Sequence, residues 1–282
     1  MIQGVYVVDI IDQLALGKQS TYRSSYDPHL LFPMARQKQR EEIHIVGSQL
    51  PFCGFDRWTH YEVSWLNRQG KPIVAIAEIA YPCDSTNIVE SKSMKLYFNS
   101  LNNTVFQSID ALTHTIREDI SRAVNAEAAV NLTTLDKMPN TVLINALEGE
   151  CIDDLDVTCS IYKVAPALLS TSNEYVEETL FSNLLKANCL VTHQPDWGSV
   201  QIRYKGKKID RKNLLKYIVS YRDHNEFHEQ CIERIYMDIF THCSPKELIV
   251  DGRYTRRGGI DINPFRSSTD LYVYDNRRLS RQ

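Results

Sequence analysis

The 282-residue sequence lacks several features that would place it in a class at once. Its seven cysteines are scattered and include no CxxC pair, which argues against a disulfide framework and for a reducing, cytoplasmic setting. It has no GxGxxG segment, so a bound dinucleotide would not be held by the Rossmann fingerprint. No apolar run approaches the roughly 20 residues that cross a bilayer. We therefore expect neither a membrane protein nor a disulfide-rich one.

The charge balance argues against another class of protein. The formal net charge is −3, so the chain has no excess of basic residues with which to coat nucleic acid, and direct nucleic-acid binding is not expected. Residues 1–9 lack a basic region and meet Asp9 early, unlike a secretory signal. With 43% apolar and 24% charged residues, the composition is that of an ordinary globular protein of one large domain or two modest ones.

Hydrophobic periodicity divides the chain into two halves of similar order. Residues 58–65 and 73–79 alternate around a turn and predict a β-hairpin. Residues 88–98 are expected to run from a loop into a short helix, and a longer helix follows, because its apolar residues have helical spacing. These residues are Phe106, Ile109, Leu112, Ile116, Ile120 and Val124. Residues 128–132 and 141–147 then form a closing pair of strands, which gives the order β-β-α-α-β-β.

The second half repeats this order loosely. The predicted elements are a helix at 177–186, a strand at 200–204, helices at 214–219 and 231–240, and strands at 248–250 and 260–262. We expect Asp210 to cap the second of the three helices and Ser244 to follow the end of the third. The acidic segment 148–156 separates the halves, so we predict an N-terminal module at 1–150 and a C-terminal module at 151–282.

One short stretch places a thiol beside a carboxylate. Cys189 and Asp196 lie seven residues apart, and Pro195, Asp196 and Gly198 predict a turn after the proline. Such a pair suits a covalent nucleophile with its proton partner. The alternative is a buried cysteine that packs as a small hydrophobic residue, with Asp196 only capping the turn. The residues alone leave both interpretations open.

Two further stretches combine positive charge with small residues. Residues 90–95 (ESKSMK) open a predicted helix, where Glu90 could accept ring N–H groups and the lysines could donate to phosphate. A capped, solvated helix end would look the same. Residues 256–259 (RRGG) place two guanidinium groups beside glycine backbone, which suits phosphate but is also typical of an exposed basic turn.

Residues 224–231 (HNEFHEQC) are compatible with two kinds of site. His224 and His228, at i and i+4 on a predicted helix, could chelate zinc, although the residue after His224 is not the glutamate of the zinc-protease motif. Alternatively, Phe227 offers a stacking face while His228 and Glu229 address the polar edge of a flat heterocycle. An ordinary amphipathic helix with solvated histidines also fits.

Taken in chain order, these stretches resemble the NADPH-dependent 7-cyano-7-deazaguanine reductases, the nitrile reductases of queuosine biosynthesis. The resemblance covers the chain from about residue 14 onward and is closest to the longer, two-module subfamily. Four motifs carry it. They are ESKSMKLY at 90–97, Asn188-Cys189 with Gln194-Pro195-Asp196, Phe227-His228-Glu229, and Arg256-Arg257-Gly258-Gly259 with Asp261-Ile262-Asn263-Pro264.

The resemblance implies an α+β tunnelling fold, related to GTP cyclohydrolase I, made of two tandem ferredoxin-like β-β-α-α-β-β units that assemble into a homodimer. The implied reaction is the four-electron reduction of a deazapurine nitrile to a primary amine, with NADPH as cofactor and a cysteine thioimide as intermediate.

The resemblance also assigns roles to residues. The implied catalytic residues are Cys189, Asp196 and His228. The implied substrate contacts are Val89, Glu90, Ser91, Phe227, His228 and Glu229, and the implied NADPH contacts are Ser91, Lys92, Arg257 and Gly258, with Arg256 a weaker candidate. No metal ligand is implied.

Two other functions remain compatible with the residues. One is a metal-dependent hydrolase of a purine or pterin on the same fold, with His224, His228 and either Cys231 or Cys189 as ligands. The other is a protein that binds a deazapurine without chemistry.

Overall fold

The protein has a mixed α/β architecture in which helices pack on one long sheet. The computed structural model describes residues 25–47, 49–138, 144–270, 274 and 276–282. The strands are β1 (Pro33–Ala35), β2 (Cys53–Leu66), β3 (Pro72–Pro82), β4 (Asn87–Val89), β5 (Ala129–Thr134), β6 (Ile144–Asn145), β7 (Glu150–Cys151), β8 (Thr171–Ser182), β9 (Lys186–Asn188), β10 (Pro195–Ile209), β11 (Glu247–Tyr254), β12 (Ile260–Ser267) and β13 (Arg278–Leu279). The helices are α1 (Gln37–Glu42), α2 (Ser91–Leu101), α3 (Ile109–Val124), α4 (Arg211–Val219) and α5 (His228–Cys243), with 3₁₀ turns at Pro28–Leu30, Leu135–Lys137, Pro166–Leu168 and Ser220–Asp223. Over these residues, no helix combines the length and apolar character needed to cross a membrane.

A nine-stranded sheet runs through both halves of the chain. Its order is β5-β3-β2-β12-β11-β10-β8-β7, with β9 paired to β10 off this path. The halves meet where β2 pairs antiparallel with β12, in a ladder that extends from His60 opposite Ile260 to Cys53 opposite Ser267. Strands of both halves therefore belong to one hydrogen-bonded sheet.

The predicted order is confirmed for most elements. The β2–β3 hairpin and helices α2 and α3 follow as expected in the first half, and α4, α5, β11 and β12 follow in the second. Local signals account for these helices. The Asp210 side chain accepts a hydrogen bond from the Asn213 N–H at 2.8 Å and begins α4, while Ser244 adopts a left-handed φ of 48° and ends α5.

The helix predicted at 177–186 is wrong, because most of this segment lies in β8 and β9. In β8, Leu180 and Ser182 are buried and lie opposite Ile202 and Val200 of β10. Val176 and Leu180 are four residues apart, a spacing that is also typical of one face of a helix. The segment is nevertheless a strand, because it pairs with β10, which lies later in the chain.

The second closing strand of the first half is also wrong. Of the segment predicted at 141–147, residues 141–143 lie outside the described residues. Ile144–Asn145 form β6, which pairs in parallel with β13 in a separate two-stranded sheet. In the described chain, the first half therefore contributes β2, β3 and β5 to the main sheet.

A buried ion-pair network ties the segment before the first hairpin to the second half. Glu233 of α5 accepts from Arg40 at 2.7 and 2.9 Å and from Arg266 at 2.9 Å, and Asp56 pairs with Arg266 at 2.8 Å and with Arg36. Burial acts to raise the pKa of Glu233, but Arg266 and Arg40 outweigh it and the pKa is lowered. The network fixes the N-terminal end of α5, where several predicted site residues lie.

Candidate active site

A tight hairpin brings the thiol and the carboxylate together. In the β9–β10 ladder, Asn188 lies opposite Pro195 and Ala187 lies opposite Asp196. The Cys189 N–H donates to the Gln194 carbonyl at 2.8 Å, and the His193 N–H donates to the Cys189 carbonyl at 3.0 Å. Cys189 and Asp196 are both buried, with 8% and 3% of their surface exposed.

The position of the turn differs from the prediction. The turn precedes Pro195 instead of following it, and His193 supplies the left-handed conformation with a φ of 56°. Gly198 lies within β10, where a Cβ would come within 3.2 Å of the Tyr254 ring. Asp196 is thus the second residue of a strand, and the interpretation of Asp196 as a turn cap is wrong.

Backbone bonds hold the start of α5 against this hairpin. The Asn188 N–H donates to the His224 carbonyl at 2.8 Å, and the Glu226 N–H donates to the Asn188 carbonyl at 3.0 Å. His228, the first residue of α5, consequently places its Nε2 3.7 Å from Asp196 Oδ1. Its ring lies edge-on to the ring of Tyr254, with the centroids 4.0 Å apart.

Helix α2 contributes from the first half. Glu90 precedes the helix, and its two carboxylate oxygens accept from the Lys92 and Ser93 N–H groups at 2.7 Å each, which caps the helix. Burial raises the pKa of Glu90, although these N–H groups oppose the shift. Ser91 and Lys95 are four residues apart, so they project from the same face of α2.

The fourth motif forms the hairpin turn between β11 and β12. Gly258 and Gly259 have φ values of 55° and 77°, and Arg257 bridges to Ile260 across them, as a two-residue turn with left-handed central residues requires. The Arg257 guanidinium forms an ion pair with Asp196 and donates to Gln194 Oε1 at 2.5 Å. The turn therefore faces the thiol-bearing hairpin.

These elements enclose one cavity, to which both halves of the chain contribute. Its lining residues are Ser91, Lys95, Cys189, Asp196, Phe227, His228, Thr255, Arg257, Ile260 and Ile262. Six residues singled out from the sequence are among them: Ser91, Cys189, Asp196, Phe227, His228 and Arg257. Others do not line the cavity, namely Val89, Glu90, Lys92, Glu229, Arg256 and Gly258.

Four lining residues had no individual site role in the sequence analysis: Lys95, Thr255, Ile260 and Ile262. Lys95 was included only as one of the two lysines that could donate to phosphate, and Ile262 only as part of the fourth motif. Lys95 could have been found, because it stands four residues after Ser91 on a helix that was predicted correctly. The positions of the other three in the cavity depend on how β11 and β12 pack near α2. No local sequence pattern predicts that packing.

Two buried groups near the cavity have shifted protonation equilibria. Burial lowers the pKa of His228, although Asp196 opposes the shift, so the ring is favoured in its neutral form. Burial, followed by the charge of Asp56, raises the pKa of Glu229 to about 8. Glu229 Oε1 has no hydrogen-bond partner among the described residues.

For Glu229→Gln, we expect the melting temperature relative to wild type to increase as the pH rises from about 4.5 to about 8. Because the pKa of this carboxyl is raised in the folded protein, its contribution to stability is complete below the unfolded value of 4.5 and is lost as the pH rises through about 8. Melting curves at several pH values would measure the difference between variant and wild type.

Glu118→Gln, on the exposed side of α3, is the matched control, and its difference from wild type should not vary with pH in this way. A constant difference for Glu229→Gln across the same range would contradict the shift.

The ligands proposed for a metal-dependent hydrolase are not brought together. His224 lies before α5 instead of within a helix, and its Nε2 is 2.9 Å from Glu226 Oε2, whereas His228 faces Asp196. In the described ranges, no three His, Cys, Asp or Glu side chains cluster closely enough to hold a metal ion.

Comparison with known proteins finds matches over most of this chain. Residues 22–132 match the family described as "Nitrile reductase, 7-cyano-7-deazaguanine-reductase N-term", and residues 195–272 match the family described as "QueF-like protein". A protein of Legionella pneumophila (strain Corby) named NADPH-dependent 7-cyano-7-deazaguanine reductase is 55% identical over 276 residues, 97% of this chain and 96% of the relative. The chain belongs to the NADPH-dependent 7-cyano-7-deazaguanine reductase family.

Further relatives with that name cover the chain equally well. One from Dechloromonas aromatica (strain RCB) is 51% identical over 98% of both chains, and one from Chromobacterium violaceum is 53% identical over 95% of this chain and 96% of its own. Within this reductase family, the two matched segments correspond to the two halves of the fold. Helix α2 lies in the first segment, and Asp196, His228 and Arg257 lie in the second. The second segment starts at residue 195, six residues after Cys189.

Proposed function

We propose that this chain reduces the nitrile of 7-cyano-7-deazaguanine to the primary amine of 7-aminomethyl-7-deazaguanine, a step of queuosine biosynthesis, and consumes two NADPH per nitrile. The observation that carries the proposal is the single cavity lined by Cys189, Asp196 and His228. It occurs in a chain whose relatives of similar length are named for this activity.

Covalent catalysis begins at the sulfur. A nitrile is a poor hydride acceptor, and addition of a thiol across the carbon–nitrogen triple bond converts it into a more reactive thioimide. The Cys189 sulfur bonds to the nitrile carbon, and the thiol proton is transferred to the nitrile nitrogen. Asp196, on the same hairpin and ion-paired with Arg257, is the group placed to carry that proton.

His228 is suited to the later proton transfers. Its neutral ring can donate from one nitrogen and accept at the other, and Nε2 already lies toward Asp196 at 3.7 Å. After the first reduction, the nitrogen requires a proton and the sulfur must leave as a thiolate. The imine formed at that stage would be hydrolysed by water, so a buried position is a requirement of the reaction.

Residues around the Gly258–Gly259 turn fit NADPH. The turn presents backbone in a left-handed conformation that residues with side chains rarely adopt. Lys95 lies against Gly258, and Arg256 and Arg257 precede it, while the Glu62 carboxylate lies against Gly259. Backbone N–H groups and guanidinium groups are the donors that phosphate prefers. We assign Ser91, Lys92, Arg257 and Gly258 to cofactor binding, and NADPH supplies the hydrides when bound.

The substrate edge is assigned to two carboxylates. The guanine-like edge presents N–H donors, which require acceptors, and Glu229 carries an oxygen without a partner among the described residues. Glu90 retains lone pairs beyond those used in capping α2. Because the pKa of Glu229 is about 8, binding that edge at neutral pH is expected to displace its proton. Phe227 would cover the ring, and Ser91 would line the pocket beside it. Val89 does not line the cavity and packs in the core of the first half, directly before Glu90.

We further propose that the chain adopts the tunnelling fold as two ferredoxin-like modules, 1–150 and 151–282, and forms a homodimer in the cytoplasm. The order β8-β10-α4-α5-β11-β12 of the second half supports the ferredoxin-like unit. Sedimentation of the purified chain would measure the oligomeric state.

The direct test is an assay with NADPH and 7-cyano-7-deazaguanine. We expect the absorbance of reduced nicotinamide to fall only when the nitrile is present, with two NADPH oxidised per nitrile consumed and the amine detected by mass spectrometry. A protein that is folded by circular dichroism and yet oxidises no NADPH in the presence of the nitrile would refute the proposal.

A further inference from the structure

Lys95, which the sequence groups with Lys92 as a possible phosphate donor, lies in the same cavity as the thiol. It projects from α2 into the cavity together with Cys189, Asp196, His228 and Arg257. The neighbouring Lys92 of the same motif is not among the lining residues. The two lysines are three residues apart, and their side chains therefore lie in different surroundings.

The Gly258 turn confines the Lys95 side chain. A Cβ on Gly258 would come within 2.9 Å of Lys95 Cε and 3.0 Å of Nζ, so the ammonium group lies directly against this backbone. Burial, followed by the charge of Arg257, lowers the pKa of Lys95, whereas Glu90, Asp196 and Cys189 act to raise it. Its electrostatic neighbours thus include the sulfur.

The other cations near the cavity are engaged elsewhere. Arg257 is ion-paired with Asp196, and Arg256 lies over the Tyr61 ring at 4.6 Å from its centroid. His228 is favoured in its neutral form, because burial lowers its pKa. In the described part of the chain, Lys95 makes no ion pair within 4.0 Å, so its charge is available to the thiol.

We propose that Lys95 is the cation that stabilises the Cys189 thiolate. In the reaction proposed above, on which this inference rests, the sulfur carries negative charge twice: when it attacks the nitrile carbon and when it leaves the reduced adduct. A fixed positive charge lowers the cost of both states without being consumed. No proton is gained or lost by Lys95 in either step.

The test follows the reactivity of the thiol and requires no turnover. Wild type, Lys95→Met and Lys95→Arg are treated with iodoacetamide over a range of pH, without nitrile or NADPH, and alkylation of Cys189 is followed by peptide mass spectrometry. In Lys95→Met we expect the rate at neutral pH to fall on the order of tenfold and the midpoint of the pH profile to rise. Lys95→Arg should remain close to wild type.

Lys92→Met removes the same charge from the same helix and is the matched control. Its alkylation profile should coincide with that of wild type, even though cofactor binding is expected to weaken. Lys95→Gln provides a second neutral variant if Lys95→Met does not fold.

An alkylation profile of Lys95→Met that coincides with wild type would overturn the proposal. If the profile is unchanged while the KM for NADPH rises, Lys95 binds cofactor phosphate instead, which also counts against it. Because alkylation needs no nitrile chemistry, failure of the reductase assay and failure of this inference give different results.

Discussion

Cys189→Ala should give a protein that forms no covalent adduct with 7-cyano-7-deazaguanine and oxidises no NADPH. The alanine cannot bond to the nitrile carbon, and the nitrile itself is a poor hydride acceptor, so no parallel route carries the reaction. Loss of an enzyme nucleophile typically costs on the order of 10⁴-fold or more in rate. Intact-protein mass spectrometry without reductant should show one added nucleobase per wild-type chain and none in the variant.

Cys243→Ala is the matched control for this measurement. Cys243 is a buried cysteine at the end of α5, outside the cavity, and its removal should leave the adduct in place. Asp196→Asn should retain the sulfur but form the adduct slowly, because proton delivery to the nitrile nitrogen is lost. An adduct of undiminished yield in Cys189→Ala would place the covalent chemistry on another residue.

Among the substitutions proposed for this chain, Glu233→Ala is expected to cause the largest loss of folding stability. The substitution removes the carboxylate that Arg40 and Arg266 share and leaves two guanidinium groups without it in a buried region. Breaking a buried ion pair on one side typically costs about 3–5 kcal/mol. In a chain of this size, that corresponds to a fall in Tm on the order of 10 °C.

Glu118→Ala serves as the control, because this glutamate is exposed and its neighbour His114 lies 3.9 Å away. Its Tm should remain within a degree or so of wild type. A Tm for Glu233→Ala as high as that of Glu118→Ala would mean that the arginines find other partners. Substrate-dependent activity of the variant, measured well below its Tm, should also fall, because the network fixes the helix that carries His228.

Much of the fold followed from signals that act within a few residues. The caps at Asp210 and Ser244 and the alternation in β10 predicted elements that the structure contains. Two errors arose where distant pairing decides the conformation. The acidic segment of β8 takes its register from β10, and the segment that contains β6 pairs with β13, more than 130 residues later.

The site also contains features that local motifs predict and features that depend on contacts between distant segments. Cys189, Asp196 and His228 were identified from the motifs, and the structure brings them to one cavity. Glu90 is expected to contact substrate, and among the described residues its carboxylate accepts from the two N–H groups at the start of α2. The ion pair between Arg257 and Asp196 joins two motifs 61 residues apart. No spacing rule relates such residues, because the contact depends on how β11 and β12 meet the β9–β10 hairpin.

The ladder between β2 and β12 has a consequence for how the cavity can admit a nucleobase. Ser91 and Lys95 are carried by the first half and Cys189 and Asp196 by the second, so a hinge between the halves would have to break backbone hydrogen bonds along the whole ladder. The gap between the two walls is therefore set by the sheet. Enlargement must come from local side-chain movement at the rim, where Phe227 packs against Met34 and Ile88 in a small cluster of its own.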